Sequence, residues 1–308
     1  MNLFATVLTY PAPSANYRGE SELNRTVIQK ITDGKFDYPI ISPEAMRNAL
    51  REILRGYGLP SNRERLHDEE QLAVKYTEYP NPDKYVDDFL FGYLVAAGKD
   101  DRKKILKEVN RKNFTFKRDS VLRMNMAKAL EPYRFNSVFT QSPQFPKENP
   151  WKVGAGEKGA NSSLLHRETA QTAFQYPFAL AGDDCAAKPD WSRALLKAIG
   201  ELADVAGNHA RSYYEMAPAS IVVRLTKQLV AGYQTYGFAP DGTFPEVVGG
   251  LLRDGEPDYP GSEFYVGGRI VKEMPEPDQA KLKSRGVTLD RDPRRLLDTV
   301  AGAFLGGK

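Results

Sequence analysis

Apolar and β-branched residues fill positions 2–10 with little polar interruption, the pattern of a buried strand. The polar stretch PAPSANYRGESELNRT then reads as a long loop, and FDYPII as a second extended segment. From Ser42 the period changes. Met46, Ala49, Leu50, Ile53 and Leu54 recur at helical spacing and form one apolar stripe. Ser42 suits the N-cap, Pro43 the first helical position, and Glu44 the positive end of the helix dipole. Arg47, Arg51 and Arg55 stand four apart and make a row along one flank of the stripe.

Residues 57–113 become polar and charge-dense and are expected to be a helical insertion, broken near Pro80 and Pro82, with a small core on YVDDFLFGYLVAA. Extended character returns in RDSVLRMNMAKAL. In HRETAQTAFQYPFAL, Ala170, Thr172, Phe174, Tyr176 and Phe178 alternate to one face, with Gln171 and Gln175 on the other. Between these segments PQFPKENPWKVGAGEKGANSS is a loop by composition. Asp190 can cap a second amphipathic helix through Trp191, Leu195, Leu196, Ile199 and Leu202, and SIVVRLT is a clean strand. The order strand, helix, strands, helix, strand predicts an α+β chain on a ferredoxin-like βαββαβ skeleton with long insertions. Residues 239–279 hold seven Gly and six Pro and are expected to project as a hairpin-like or irregular arm, with a disordered linker as the plainer alternative. An amphipathic helix over residues 292–305 closes the chain.

At 308 residues and 41% hydrophobic content the chain can bury a substantial core, and its net charge of +3 is too small to announce a nucleic-acid binder by itself. The charge is unevenly spread. Residues 101–130 carry ten Lys or Arg against three Asp or Glu, whereas residues 60–89 carry four against eight. Such blocks suit a polarised surface with one side drawn to an anion, or simply two solvated faces. The single cysteine, Cys185, excludes an intramolecular disulfide, and with His67, His166 and His209 it gives no zinc framework. No apolar run is long enough to span a membrane and no secretory signal opens the chain, so a cytoplasmic protein with no membrane partner is expected.

Several motifs carry no chemistry on inspection. GAGEKG, residues 154–159, matches GxGxxG but lacks the preceding strand and following helix of a dinucleotide site. Asp183 and Asp184 are sequence neighbours whose side chains point apart, and a turn accounts for them. His166 has no nucleophile placed to complete a triad. No catalytic group, metal or cofactor is therefore expected. The basic features are stronger: DDRKKILKEVNRK, Lys117 and Arg118 in FKRDS, and Arg18 and Arg25 in the first loop. Together with Arg47 and Arg51 these could line one groove and meet nucleic-acid phosphates. The RNP1 aromatic signature is absent, so base stacking on the sheet is not the expected mode.

In order along the chain, APSANYRGESELNRT, YPIISPEAMRNALREIL, DDFLFGYLVAA, FKRDSVLRMNMAKAL, HRETAQTAFQYPFAL and APASIVVRLT resemble the "Cas-seven" backbone subunits of type I CRISPR effector complexes. These belong to the RAMP superfamily, and the likeness is to its DevR-like branch (type I-B/I-A). The resemblance covers most of the chain, least securely residues 239–279. It implies an RRM-like palm (1–56, 114–227 and 273–308), helical fingers (57–113) and a thumb (228–272). It further implies a non-catalytic subunit that polymerises head to tail along a guide RNA (crRNA), kinks it at intervals and leaves bases free to pair with target DNA. The implied partners are crRNA, target DNA, further copies of the chain, and the five-prime cap, large and crRNA-processing subunits of a Cascade. By the same analogy RNA is met by Asn16, Arg18, Asn24, Arg25, Ser42, Arg47 and Arg51, joined by Lys117, Arg118, His166 and Arg167. The plainer account is that Arg47 and Arg51 snorkel beside the core and pair with nearby acids. The alternative function is a metal-dependent endoribonuclease of the type III RAMP kind. Glu20, Glu22, Asp33 and Asp37 are its available carboxylates, without a clear slicing aspartate. A scaffold that binds no nucleic acid is the third reading.

Overall fold

The computed structural model describes residues 1–22, 25–65, 74–141, 164–205 and 213–306. Its centre is a nine-stranded sheet. The strands are β1 (Asn2–Leu8), β2 (Lys30–Asp33), β3 (Phe36–Ile41), β4 (Arg123–Met124), β5 (Ala127–Ala129), β6 (Phe174–Ala181), β7 (Ser220–Thr226), β8 (Phe264–Gly268) and β9 (Thr288–Asp290). The order is β9-β8-β7-β1-β6-β5-β3-β2, with β4 also on β6. Only the β8–β9 pair is parallel. Within it, β7-β1-β6-β4/β5 is the ferredoxin-like order, as the sequence pattern predicts. Helix α1 (Pro43–Gly56) lies between β1 and β4, and a second long helix, Pro189–Gly200, between β6 and β7.

Alternation along the central strands makes two cores. Leu3, Ala5 and Val7 of β1 and Ile221, Val223 and Leu225 of β7 face the helices. There they meet Met46, Leu50 and Leu54 of α1, Leu195, Leu196 and Ile199 of the second helix, and Val300 and Phe304 of the closing helix, Pro293–Leu305. Leu8 and Val222 face the opposite side, under Phe238, Phe244, Val247 and Leu251. The expectation of a projecting arm over residues 239–279 is thus corrected. Its glycines and prolines turn the chain, but its aromatic residues cover the sheet's second face, and β8 extends the sheet itself.

Two further expectations change. Residues 11–26 are not one loop. Ala12–Ser14 pairs with Ala170–Thr172, and a four-stranded sheet joins Tyr17–Glu22, Arg25–Ile28, Ser137–Gln141 and Leu164–Glu168. Ala12–Ser14 and Arg25–Ile28 pair with distant segments and Tyr17–Glu22 with Arg25–Ile28, so backbone pairing rather than side-chain periodicity makes these strands. The 57–113 insertion is only partly helical. A hairpin, Arg63–Arg65 with Val74–Tyr76, precedes α2 (Val86–Phe91) and α3 (Lys99–Val109). α2 is wholly buried, while α3 has no buried residue. GAGEKG, His67 and His209 lie outside the described residues. No helix among the described residues is long and apolar enough to cross a membrane.

Phe244 is fully buried and meets Phe238 edge to face at 4.8 Å between ring centroids. Phe244→Ala should cost about 3–5 kcal/mol. Chemical denaturation should show the loss in a single transition shared with the rest of the sheet.

Candidate nucleic-acid interface

The sequence places the start of α1 correctly. Ser42 is extended (φ −68°, ψ 149°) and its Oγ accepts a hydrogen bond from the Ala45 N–H at 3.2 Å. Of the arginine row, Arg47 is partly exposed and lies 3.7 Å from Glu44, and Arg55 lies 3.7 Å from Glu52. Arg51 differs: it is only 8% exposed. Its Nη1 donates to Asn48 Oδ1, its Nε lies 3.9 Å from Asp87 Oδ2, and its guanidinium sits 5.0 Å over the Phe91 ring.

The insertion builds the other wall. Asp87 and Asp88 of α2 are fully buried. Asp87 accepts from the backbone N–H groups of Asn62 (2.8 Å) and Arg63 (3.0 Å). Asp88 Oδ2 accepts from Asn62 Nδ2 and from the Asn81 N–H, both at 2.8 Å. Asn62 Oδ1 in turn accepts from Thr77 Oγ1 at 2.9 Å and the Glu78 N–H at 3.0 Å. This network hangs Arg63 beside Arg51, with its guanidinium 5.1 Å over Tyr76 and Nη2 donating to the Gly92 carbonyl. α2 ends at Gly92 with φ +65°, where a Cβ would stand 2.4 Å from the Arg118 carbonyl oxygen. Glycine therefore lets the Lys117–Arg118 strand close in against Tyr93 and Leu94. Arg118 then sits 5.1 Å over Phe89.

Arg47, Arg51, Arg63 and Arg118 share one further property. Each has a buried Nε with no hydrogen-bond partner. Burial, reinforced by the neighbouring Arg63 charge, pushes the Arg51 guanidinium down to about 10 against the partial offset of Asp87. Burial also lowers Arg47, against Glu44. Both stay cationic at neutral pH. The cost of burying the Arg51 charge is present below about pH 10 and is relieved as pH rises past it. Arg47, Arg51 and Arg63 thus make one cationic crease, buried at each Nε and partly exposed at Arg47. It opens onto a groove of roughly 440 Å³ lined by Arg47, Arg123, Asn125, Phe4 and Ala179 among others.

The remaining expected contacts fall elsewhere. Lys117 is exposed, 3.6 Å from Asp119. Asn16 is buried, donating from Nδ2 to the Ile40 carbonyl at 2.9 Å, while its own carbonyl accepts from Gln29 N–H at 2.9 Å. It therefore braces β3 just ahead of Ser42. Exposed His166 meets Phe139 edge to face at 5.0 Å and stands opposite Arg25 in parallel register; Arg167 stands opposite Thr26. Arg18 lies in the neighbouring strand, and Asn24 lies outside the described residues. The structure thus brings Arg47 and Arg51 together with Arg63, sets Ser42 at the cap of the same helix and Lys117 and Arg118 on the strand beside Gly92, and places Arg25, His166 and Arg167 on the four-stranded sheet. Arg63 and Arg123 were missed from sequence. The acidic pair inside the apolar run YVDDFLF was the available signal for a buried network beside Arg63.

No protein-family model matches the chain. It is 30% identical over 282 residues to "CRISPR-associated protein Cas7/Cst2/DevR" of Myxococcus xanthus, with 88% of each sequence covered. Its fold is similar to a chain of a "CRISPR RNA-guided surveillance complex, pre-nicking", with a TM-score of 0.61, 11% identity, and 99% of this chain and 100% of that one covered. A chain of a "CRISPR RNA-guided surveillance complex" aligns at TM-score 0.52 and 12% identity over 98% and 99% of the two chains. At those identities the structural likeness concerns the fold alone.

Asp87→Ala should cost about 3–5 kcal/mol, because it strips two backbone donors and a buried cation of their acceptor. Asp87→Asn should cost less, since its amide oxygen can still accept. Urea denaturation of the two variants would measure the difference.

Proposed function

The chain belongs to the Cas7/Cst2/DevR family of CRISPR-associated proteins, and from that premise we propose that it is a non-catalytic guide-RNA-binding backbone subunit of a type I surveillance complex. The observation that carries the reading is the open groove in which Arg47 and Arg123 present guanidinium groups beside the cationic crease. RNA phosphates are anionic, repeat along a strand, and accept from several guanidinium donors at once. A subunit that holds the backbone in this way leaves bases available to pair with target DNA.

Copies of the chain arranged head to tail along the RNA would make a heterologous, non-closing contact and hence a helical filament. The cap, large and processing subunits of a Cascade complete the proposed assembly. Within residues 228–272, Phe238, Phe244 and Phe264 belong to the second core, while Leu229 and Val230 are exposed and available to press on the RNA at a neighbouring copy. Phe135, Val138 and Phe139, beside and on the Ser137–Gln141 strand of the four-stranded sheet, are exposed and offer a second such surface. Two of the carboxylates open to the nuclease reading are already engaged. Asp33 pairs with Lys128, and Asp37 accepts from Thr32 Oγ1 at 2.8 Å.

Arg47→Gln tests the phosphate interaction without the buried-charge conflict that Arg51→Glu would create beside Asp87. Single-stranded RNA binding measured across a salt series should weaken, and its log–log salt slope should fall by about 0.7 for each phosphate no longer neutralised. An unchanged slope in the folded variant would overturn the reading. A complementary RNA bound to the guide should also remain intact with Mg²⁺. Cuts at regular spacing on a denaturing gel would show that the subunit is catalytic.

A further inference from the structure

The groove beside Arg47 has a floor that phosphate binding does not use. Phe4 of β1 stands opposite Ala179 of β6, which stands opposite Arg123 of β4, so these three residues form one row across the sheet. By strand alternation the row lies on the face away from the helices, because Leu3, Ala5 and Leu180 face the helical core. Phe4 and Ala179 are only partly buried. Asn125 and Thr235 border the same groove, and Arg47 and Arg123 supply its cations. A flat apolar ring, a small neighbour that leaves space above the sheet, a side-chain amide and two guanidinium groups are therefore placed together.

We infer that this groove seats one nucleobase of the bound strand against Phe4, while Arg47 holds the adjoining phosphate. The inference rests on the guide-RNA reading and adds a base subsite to it. The apolar floor excludes water from a base face, and base–aromatic stacking tolerates any sequence because every base has a π-face. Asn125 Oδ1 accepts from the Met126 N–H at 2.9 Å, which leaves its amide NH2 as a donor to the base edge. Arg123 adds a second charge at the rim. Without an RNP1 signature the sheet lacks the usual pair of stacking aromatics, so one base per copy is the capacity of this floor.

The test separates the base subsite from the phosphate interactions. Phe4→Leu keeps apolar volume but removes the flat face, and Ala179→Leu fills the groove from a partly exposed position. Each should weaken binding of a short single-stranded RNA roughly tenfold with an unchanged salt slope, because the same number of phosphates stays neutralised. RNAs carrying an abasic site at each position in turn should show a similar penalty at one position per bound copy. That penalty should disappear in Phe4→Leu. Wild-type affinity in both variants, or an abasic penalty that persists in Phe4→Leu, would overturn the subsite. An unchanged salt slope in Arg47→Gln is a separate result, and it would overturn the guide-RNA reading beneath it.

Discussion

Guanidinium groups held together out of water repel one another, and in the crease between α1 and α2 the buried carboxylate of Asp87 offsets that repulsion at Arg51. That carboxylate is fully buried, so it must be fixed by hydrogen bonds, and the backbone of Asn62 and Arg63 supplies them. The same bonds set where the insertion's hairpin begins. Asp88, one residue on, ties in Asn81, and through Asn62 the network reaches Thr77. Charge compensation and the placement of the insertion are therefore one arrangement. The plain reading of Arg51 as a snorkelling residue paired with an acid is partly right, since it has such an acid. Its Nε–H nevertheless finds no acceptor.

What could be read from sequence follows a division between local and distant causes. The Ser42 cap, the α1 stripe and the β7 strand depend on neighbours a few residues away, so composition and period expose them. Arg25–Ile28 is a strand because it pairs with distant Leu164–Glu168, and Tyr17–Glu22 joins the sheet only through Arg25–Ile28, which polar side chains do not advertise. Residues 239–279 read as an arm because Gly and Pro dominate the count, while the few aromatics decide the packing. The helical row of arginines is visible in the sequence, but its unequal burial is not. Arg51 is covered by Phe91 and Asp87, contributed from a different segment, whereas Arg47 faces the groove. Asn16 is expected at the RNA and instead holds the Ile40 carbonyl, a role only tertiary contact defines.

The two cores also explain why a sheet of this family can be both rigid and receptive. Toward β7 and β8 both faces are covered. Toward β4 the covering is incomplete, and Phe4 and Ala179 remain partly exposed beside Arg123. The open ground adjoins the cationic crease, so binding chemistry sits at the margin of a well-packed frame.

The pairing of β1 has a consequence for how the chain is made. Its partners on the two sides are β6 and β7, around residues 174–181 and 220–226. A ribosome adding about 5–20 residues per second leaves this first, largely apolar strand unpaired for roughly ten to forty seconds. Throughout that interval the order of synthesis opposes the order of assembly. β1 must wait for a sheet whose remaining central strands have yet to emerge.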